Sequence, residues 1–129
     1  MKAFLAGALA FFAAAPVAAT EMNCGGLNTQ MELNICEGKK LDKADAALND
    51  VYAKLSRKVS AEGKAKLLDA QRAWLKYRDQ QCAFETLATV GGSIHPMEVA
   101  ICLTELTKDQ TKRLRAQLAC GDGDICGGQ

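Results

Sequence analysis

Residues 70–82, AQRAWLKYRDQQC, constrain the fold of this chain more than any other stretch. At helical spacing they and the residues just before them form two adjacent stripes, which together make one broad face. Trp74, the only tryptophan, lies at the centre of that face and can anchor a small core, because it buries a large area in one step. The pattern predicts the central helix of a packed domain, with Gln71, Trp74 and Arg78 in a polar network across its contact face.

Arg78 has two alternatives within this pattern. A buried charge without a partner costs several kcal/mol, so a guanidinium inside the face must find acceptors. Otherwise its stem lies along the core and its head reaches water. The sequence leaves both open.

Residues 1–19 have the pattern of a cleavable export signal. Lys2 gives a positive start, residues 3–15 are an uninterrupted apolar run, and residues 17–19 are small enough for signal peptidase. The run is too short to span a bilayer as a permanent helix, and no cysteine directly follows the expected cut. We therefore expect a mature, soluble chain from Thr20, periplasmic or secreted, without a permanent membrane anchor.

The expected mature chain is electrically neutral. Without Lys2, its basic and acidic residues number 15 each. Nucleic acid is therefore not an expected partner, because it requires a concentrated basic face. Net neutrality also predicts no long-range attraction for a basic protein. Residues 20–129 are enough for one modest domain that buries about two-thirds of its unfolded surface, so we expect it to need cross-links.

Three helices are predicted, with no strand and no repeat. The first is capped by Asn28 or Thr29 and runs to about Ser60, with Gly38 as a place for a kink. Its apolar stripe is expected to bury Met31, Ile35, Leu41, Ala44, Leu48, Val51, Leu55 and Val59. The second helix runs from about residue 64 to residue 88, and the third from about 97 to 118. The third is expected to bury Val99, Ala100, Leu103, Leu106, Leu114 and Leu118.

The predicted fold class is all-α, a small antiparallel helical bundle stapled by disulfides. The short connection near residue 60 makes the first two helices antiparallel neighbours. Six cysteines in an exported chain indicate disulfides rather than zinc ligands or nucleophiles, and allow 15 connectivities. An up-down arrangement gathers four of them at one pole, where an exchange of partners is the main alternative. We expect the pairs Cys24–Cys36, Cys82–Cys102 and Cys120–Cys126, the last closing a tail from about residue 119.

No group of catalytic or metal-binding residues stands out. His95 is the only histidine, which leaves neither a His-rich zinc site nor a Ser-His-Asp triad. Asp42, Asp45 and Asp50 have the spacing of a solvated helix face rather than of a pair flanking a cleft. Residues 122–124 resemble a calcium loop but lack the later bidentate glutamate. We therefore expect no enzyme activity, no cofactor and no metal.

Residues 91–96 have the composition of a presented loop, with two glycines, a hydroxyl, an apolar side chain and an imidazole. Loops on a rigid scaffold commonly carry binding. The expected partner-binding residues are Gly91, Gly92, Ser93, Ile94 and His95. The alternative is that Gly-Gly-Ser is only the turn between helices, with Ser93 or His95 as a cap.

Five segments of the chain together match the pattern of a known family. They are TQMELNIC at 29–36, ADAALNDVY at 44–52, QRAWLKYRDQQC at 71–82, GGS at 91–93 and CL at 102–103. In this order they resemble the lysozyme inhibitor LprI-like family. The resemblance implies an exported, disulfide-stapled helical domain that binds lysozyme. The chain departs from the family by lacking a lipidation signal and by adding Cys120 and Cys126, so membrane anchoring is not carried over.

Two functions are therefore hypotheses. In the first, a narrow loop enters the lysozyme cleft, hydrogen-bonds its two carboxylic acids through Ser93 and His95 as donors, and excludes substrate. Lysozymes of this kind are usually basic, and a neutral inhibitor gains no electrostatic steering, so we expect moderate affinity. In the second, the chain is a structural, adaptor or stress module of the envelope that binds another envelope protein and has no effect on lysozyme.

Overall fold

The computed structural model describes residues 22–121, so the predicted leader and Cys126 lie outside the described residues. The elements, in order, are α1 (Gln30–Lys58), α2 (Ala61–Glu85), a one-turn 3-10 helix (Leu87–Thr89) and α3 (His95–Leu118). Residues 22–121 contain no β-strand. The predicted all-α class with three main helices is confirmed.

α1 begins where the sequence places its cap. The Thr29 hydroxyl accepts a hydrogen bond from the Glu32 backbone N–H at 3.2 Å, and the Thr29 backbone N–H donates to the Glu32 carboxylate at 3.1 Å. This reciprocal pair is a capping box, which satisfies two backbone donors that a helix start leaves without partners. The helix then continues through Gly38 as one uninterrupted element.

α2 lies about three residues earlier at each end than the pattern predicted. The Ser60 hydroxyl accepts a hydrogen bond from the Gly63 backbone N–H at 3.0 Å, so the helix starts directly after Ser60. At its other end the Thr86 backbone N–H donates to the Cys82 carbonyl, and the chain turns into the 3-10 helix. Ser60 therefore lies in the turn between α1 and α2 and also caps the start of α2.

α1 and α3 lie side by side and parallel, with α2 antiparallel to both. At one end the Asn34 side chain donates to the Ser93 carbonyl at 3.0 Å, just before α3 starts. At the other end the Lys58 ammonium donates to the Leu118 carbonyl at 2.9 Å. The core between them consists of Leu48, Val51 and Leu55 of α1 with Leu114 of α3, and is flanked by Tyr52, Val59, Leu67, Trp74 and Leu118.

α2 is not the central helix, so the prediction of a broad buried face over residues 70–82 is wrong. Only Gln71 and Cys82 are buried within α2. Leu68 and Leu75 remain 39% and 38% exposed, and Trp74 lies half-buried at the edge of the core. The core lies between α1 and α3, which pack against each other along their length. α2 contacts mainly α3 and covers one side of this pair.

Two further burial predictions are wrong at the start of α1. Met31 and Ile35 are 72% and 54% exposed. They precede Leu48 by 17 and 13 residues, which at 3.6 residues per turn places them about 100° and 140° away from the core-facing side. The apolar stripe that includes them therefore does not face α3.

The buried face of α3 is partly polar, which the apolar pattern did not indicate. Thr104, Thr107 and Thr111 are all buried on it. The Thr111 hydroxyl donates to the Thr107 carbonyl at 2.8 Å, and the Thr107 hydroxyl accepts from Arg78 at 3.1 Å. The Thr104 hydroxyl has no hydrogen-bond partner within the described residues.

The structure contains the two disulfides predicted at one pole. The Cα atoms are 6.0 Å apart in Cys24–Cys36 and 5.7 Å apart in Cys82–Cys102. Cys120 is also disulfide-bonded, and its pairing with Cys126 remains a prediction because Cys126 lies outside the described residues. We call the end that holds both bridges the disulfide pole, and the opposite end, with the turn at 59–60 and the end of α3, the turn pole.

Candidate functional site

The disulfide pole carries the segment between α2 and α3, residues 86–94, which we call the pole loop. Its first half is the 3-10 helix, in which the Thr89 and Val90 backbone N–H groups donate back to Thr86 and Leu87. Gly91 then has φ of 85°, the only positive φ among residues 22–121. That conformation favours glycine because a side chain would be strained there. The loop is therefore a sequence of tight turns.

Two threonines of the loop and His95, the first residue of α3, form a chain of hydrogen bonds that fixes the shape of the loop. The Thr86 hydroxyl donates to the Cys82 carbonyl at 2.7 Å, and the Thr89 hydroxyl donates to the Thr86 carbonyl at 2.8 Å. His95 Nδ1 lies 2.8 Å from the same Thr89 oxygen. Because the single Thr89 hydroxyl proton is used on Thr86, His95 Nδ1 must be the donor to Thr89. A neutral His95 therefore offers an acceptor, not a donor, at Nε2.

α1 holds the tip of the loop in place. Asn34 donates to the Ser93 carbonyl at 3.0 Å, and Gln30 donates to the Asn34 side-chain oxygen at 2.9 Å. The Gln30 amide also lies 3.6 Å from the sulfur of Met97 in α3. Since the Cys82–Cys102 bridge joins the helices on either side of the loop, both its ends and its tip are attached to the scaffold.

The loop presents an apolar surface to solvent. Leu87 is 65% exposed, Val90 is 64% exposed and Ile94 is 38% exposed. The Ser93 hydroxyl is exposed and makes no hydrogen bond within residues 22–121, so it is available to a partner. A fixed, exposed segment with apolar side chains and an available hydroxyl suits binding to another protein, because little conformational freedom is lost on association.

The structure places the predicted site residues unequally. Gly91, Gly92, Ser93 and Ile94 lie together on the exposed part of the loop, whereas His95 is half-buried as the first residue of α3. Sequence reasoning missed Leu87 and Val90, the most exposed apolar residues of the loop. The sequence signal for them was that two apolar residues lie between the end of α2 and Gly91, outside the apolar stripe of any helix.

The predicted network of Gln71, Trp74 and Arg78 lies away from the loop, in the middle of the bundle. Arg78 Nη1 donates to Asp45 of α1 at 2.9 Å and to Thr107 of α3 at 3.1 Å. The guanidinium also lies over the Trp74 ring, 5.4 Å from its centre. The Arg78 side chain is only 12% exposed, so of its two alternatives the buried, partnered one is correct.

Gln71 makes a separate link between α2 and α3. Its side-chain oxygen accepts a hydrogen bond from the Gln110 amide at 3.3 Å. Gln71 and Arg78 thus bind α3 two turns apart along α2. Both residues hold the bundle together and neither reaches the pole loop.

Two grooves open elsewhere on the described chain. One, of about 470 Å³, lies at the turn pole between the start of α2 and the end of α3, and the other, of about 290 Å³, lies between α1 and α2. Among residues 22–121, each is lined by one carboxyl group, Glu62 in the first and Asp45 in the second. Paired-carboxylate hydrolysis needs two such groups across a cleft. Neither groove therefore supplies that chemistry.

Residues 22–121 contain no group of three or more His, Cys, Asp and Glu side chains placed to hold a metal ion. None of the helices in that range has an apolar stretch of the length that crossing a membrane requires.

The fold and the pole loop together define a class, a small disulfide-stapled helical domain with one exposed loop held against its scaffold. Comparison with known proteins identifies the family within that class. The family model described as lysozyme inhibitor LprI matches residues 22–114, and the chain belongs to this family. An uncharacterized protein of Rhizobium meliloti (strain 1021) is 37% identical over 108 residues, which cover 74% of this chain and 78% of that protein. No solved structure matches the chain.

Proposed function

We propose that this chain is an exported inhibitor of lysozyme, and that it acts by inserting the pole loop into the lysozyme cleft. Membership of the LprI lysozyme inhibitor family supports lysozyme as the partner. The observation that carries the mechanism is the loop itself, which is exposed at its tip yet held by hydrogen bonds to α1 and α3 and by the Cys82–Cys102 bridge. A loop already fixed in its bound shape excludes substrate at a small entropic cost.

The disulfides support export. Both bridges require an oxidising compartment, such as the periplasm or the cell exterior, where lysozyme acts on the wall. The leader predicted at residues 1–19 supplies the route. Expression of the full chain followed by mass spectrometry of the periplasmic fraction tests this, since a mature chain starting near Thr20 is expected.

The cleft chemistry assigns different roles to the two polar residues. Lysozyme uses one carboxylic acid that is protonated and one carboxylate that is ionised. The Ser93 hydroxyl can donate to the carboxylate, because it has no partner within the described chain. His95 Nε2, an acceptor in the neutral ring, can accept from the protonated acid. The two residues thus fit a cleft with one protonated carboxylic acid and one ionised carboxylate, rather than a cleft with two carboxylates.

The experiment is a turbidity assay of wall lysis by chicken-type lysozyme in the presence of the purified mature protein. Wild type is expected to slow lysis, and the variant Ser93→Ala with His95→Ala is expected to lose at least about tenfold in potency, since two partner hydrogen bonds are worth about 1.4 kcal/mol or more. The matched control is Asn49→Ala with Gln80→Ala, two exposed neutral polar residues outside the loop. Circular dichroism checks that both variants stay folded.

The outcomes separate the mechanism from the function. Full inhibition by the Ser93 and His95 variant removes these side chains from the mechanism while inhibition itself stands. No effect of wild type on chicken-type or goose-type lysozyme, and no binding to either by calorimetry at any salt concentration, refutes the proposed function and favours the adaptor hypothesis.

A further inference from the structure

We propose that the disulfide pole docks onto a strongly basic protein, through an apolar patch formed by Leu87, Val90 and Ile94 and bordered by carboxylates. The proposal rests on the proposed function and specifies the electrostatic character of the partner that approaches the loop. It is carried by the distribution of charge along the fold.

The charges of the chain are segregated between the two poles. Residues 79–105, which form the end of α2, the pole loop and the first half of α3, include four acidic residues and no lysine or arginine. Residues 41–78 include nine basic and five acidic residues, and residues 106–121 include four basic and one acidic. Residues 22–40, at the start of α1, carry two of each sign. The disulfide pole is therefore negative and the turn half is positive.

Three of the acidic residues surround the bridge next to the loop. Glu85 Oε2 lies 3.4 Å from Cys102 Sγ, a contact rather than a hydrogen bond because the bridged sulfur has no proton. Glu98 and Glu105 are four residues before and three after Cys102 on α3, which places both on the side of the helix where the bridge lies. Glu85 and Glu105 are exposed and Glu98 is half-buried, and no ion pair within residues 22–121 neutralises any of the three.

The apolar patch lies within this negative region and has no charge of its own. Residues 86–97 contain neither acidic nor basic side chains apart from His95. An apolar centre with charges at its rim is the usual arrangement of a protein interface. The patch supplies the contact that slows dissociation, and the surrounding carboxylates select a partner of positive charge.

Net neutrality does not cancel this field. α1 has 29 residues and so spans about 43 Å at 1.5 Å per residue. At physiological salt the Debye length is only about 8 Å, so a protein near one pole is screened from the charges at the other. A basic partner at the disulfide pole thus meets mainly carboxylates, so a chain of zero net charge can still attract it to this end.

The test measures association and dissociation rates with chicken-type lysozyme, as the basic partner, by surface-immobilised binding at several salt concentrations. The pole variant is Glu85→Gln, Glu98→Gln and Glu105→Gln. The matched control neutralises three exposed carboxylates in the turn half, Asp50→Asn, Glu62→Gln and Asp69→Asn. Both triple variants change the net charge by the same amount, and each includes one glutamate from the first turn of a helix.

The pole variant is expected to associate about tenfold more slowly than wild type at low salt, with a weaker salt dependence and a nearly unchanged dissociation rate. At physiological salt the control is expected to change the association rate by less than about twofold, because its charges then lie more than two Debye lengths from the pole. A third variant, Leu87→Ser with Val90→Ser, is expected to dissociate about tenfold faster while associating at the wild-type rate.

Equal association rates for the two triple variants, or a pole variant that associates like wild type, overturn the docking inference while inhibition of lysozyme stands. An unchanged dissociation rate for the serine variant overturns the assignment of the apolar patch. Failure of wild type to bind lysozyme at any salt concentration overturns the proposed function and this inference together, and is thereby distinct from the first two outcomes.

Discussion

Replacing Arg78 by methionine tests how the three helices are held together. Arg78 of α2 donates to Asp45 of α1 and to Thr107 of α3, so one guanidinium joins all three helices. It also donates to Asp79 at 3.0 Å and lies over the Trp74 ring. Methionine keeps most of the apolar stem and removes every one of these interactions. We therefore expect Arg78→Met to lower stability without leaving a large cavity.

The cost can be worked out from the exposure of each partner. Thr107 is 0% exposed, and losing its donor leaves a buried hydroxyl without a partner, which costs about 1–3 kcal/mol. Loss of the contact with Trp74 adds about 0.5–1 kcal/mol. The Asp45 side chain is 40% exposed and remains solvated, so that pair contributes at most about 1 kcal/mol. The total is about 2–4 kcal/mol, which for a domain of this size lowers Tm by about 10–20 °C.

Urea unfolding followed by circular dichroism measures this loss, and Thr107→Val dissects it. In the double variant Arg78→Met with Thr107→Val, position 107 no longer carries a buried hydroxyl that lacks its donor. We therefore expect the double variant to be about 1–2 kcal/mol more stable than Arg78→Met alone. Asp79→Asn is the control, and because the Asp79 side chain is 62% exposed we expect it to change stability by less than about 0.5 kcal/mol.

Two results would refute this reasoning. An Arg78→Met variant as stable as wild type would show that the guanidinium spends its time in water and that the network contributes nothing. A double variant no more stable than Arg78→Met would show that Thr107 does not need the Arg78 donor. In that second case the destabilisation would come from the Trp74 and Asp45 contacts.

Three further substitutions test the local geometry. The Thr29 hydroxyl, followed by the Thr29 backbone N–H, hydrogen-bonds the Glu32 carboxylate and holds the pKa of Glu32 below its ordinary value. Because the pKa of Glu32 is lower in the folded state, its ionised carboxylate stabilises the fold at pH values above its ordinary pKa, and this stabilisation is lost as the pH falls through the lowered pKa. The Tm difference between wild type and Glu32→Gln should therefore be present at neutral pH and vanish in strong acid. A difference that does not change with pH would contradict this. Gly38→Ala should raise stability in urea by about 1 kcal/mol, because Gly38 lies inside α1 and an added Cβ meets nothing within 4 Å, whereas a loss would reveal a constraint there. Gly91→Ala should lower it by about 1–2 kcal/mol because φ is 85°, and an unchanged urea midpoint would show that the loop relaxes.

Local chemistry made the start of α1 and the disulfides of the pole predictable. Thr29 with Glu32 is a capping signature that depends on residues three apart, whereas Ser60, expected only in the turn, caps α2 three residues earlier than predicted. The Cys82–Cys102 pair followed from a topology in which a helix end and the next helix start meet at one pole. These predictions succeeded because each depended either on groups close in sequence or on the order of the three helices along the chain.

The packing partners were less predictable, because periodicity shows which residues share a face but not which helix covers it. α2 has the broadest apolar face on paper, yet Leu68 and Leu75 stay partly in solvent because α1 pairs with α3 instead. The buried face of α3 contains threonines, of which Thr111 donates to a backbone carbonyl and Thr107 accepts from Arg78. The pattern of apolar residues cannot reveal a buried polar side chain, such as Thr107, whose hydrogen-bond donor lies on another helix.

The position of the loop could be predicted from its glycines, but the donor and acceptor roles of its side chains depend on hydrogen bonds that only the structure shows. The sequence named Ser93 and His95 as two equivalent donors. The Thr89 hydroxyl makes them different, because it has one proton and gives it to the Thr86 carbonyl, which leaves His95 Nδ1 as the donor to Thr89 and Nε2 as an acceptor. Under the proposed function, this hydrogen bond decides which carboxyl of the lysozyme cleft His95 can meet, since only the protonated acid has the hydrogen that Nε2 needs.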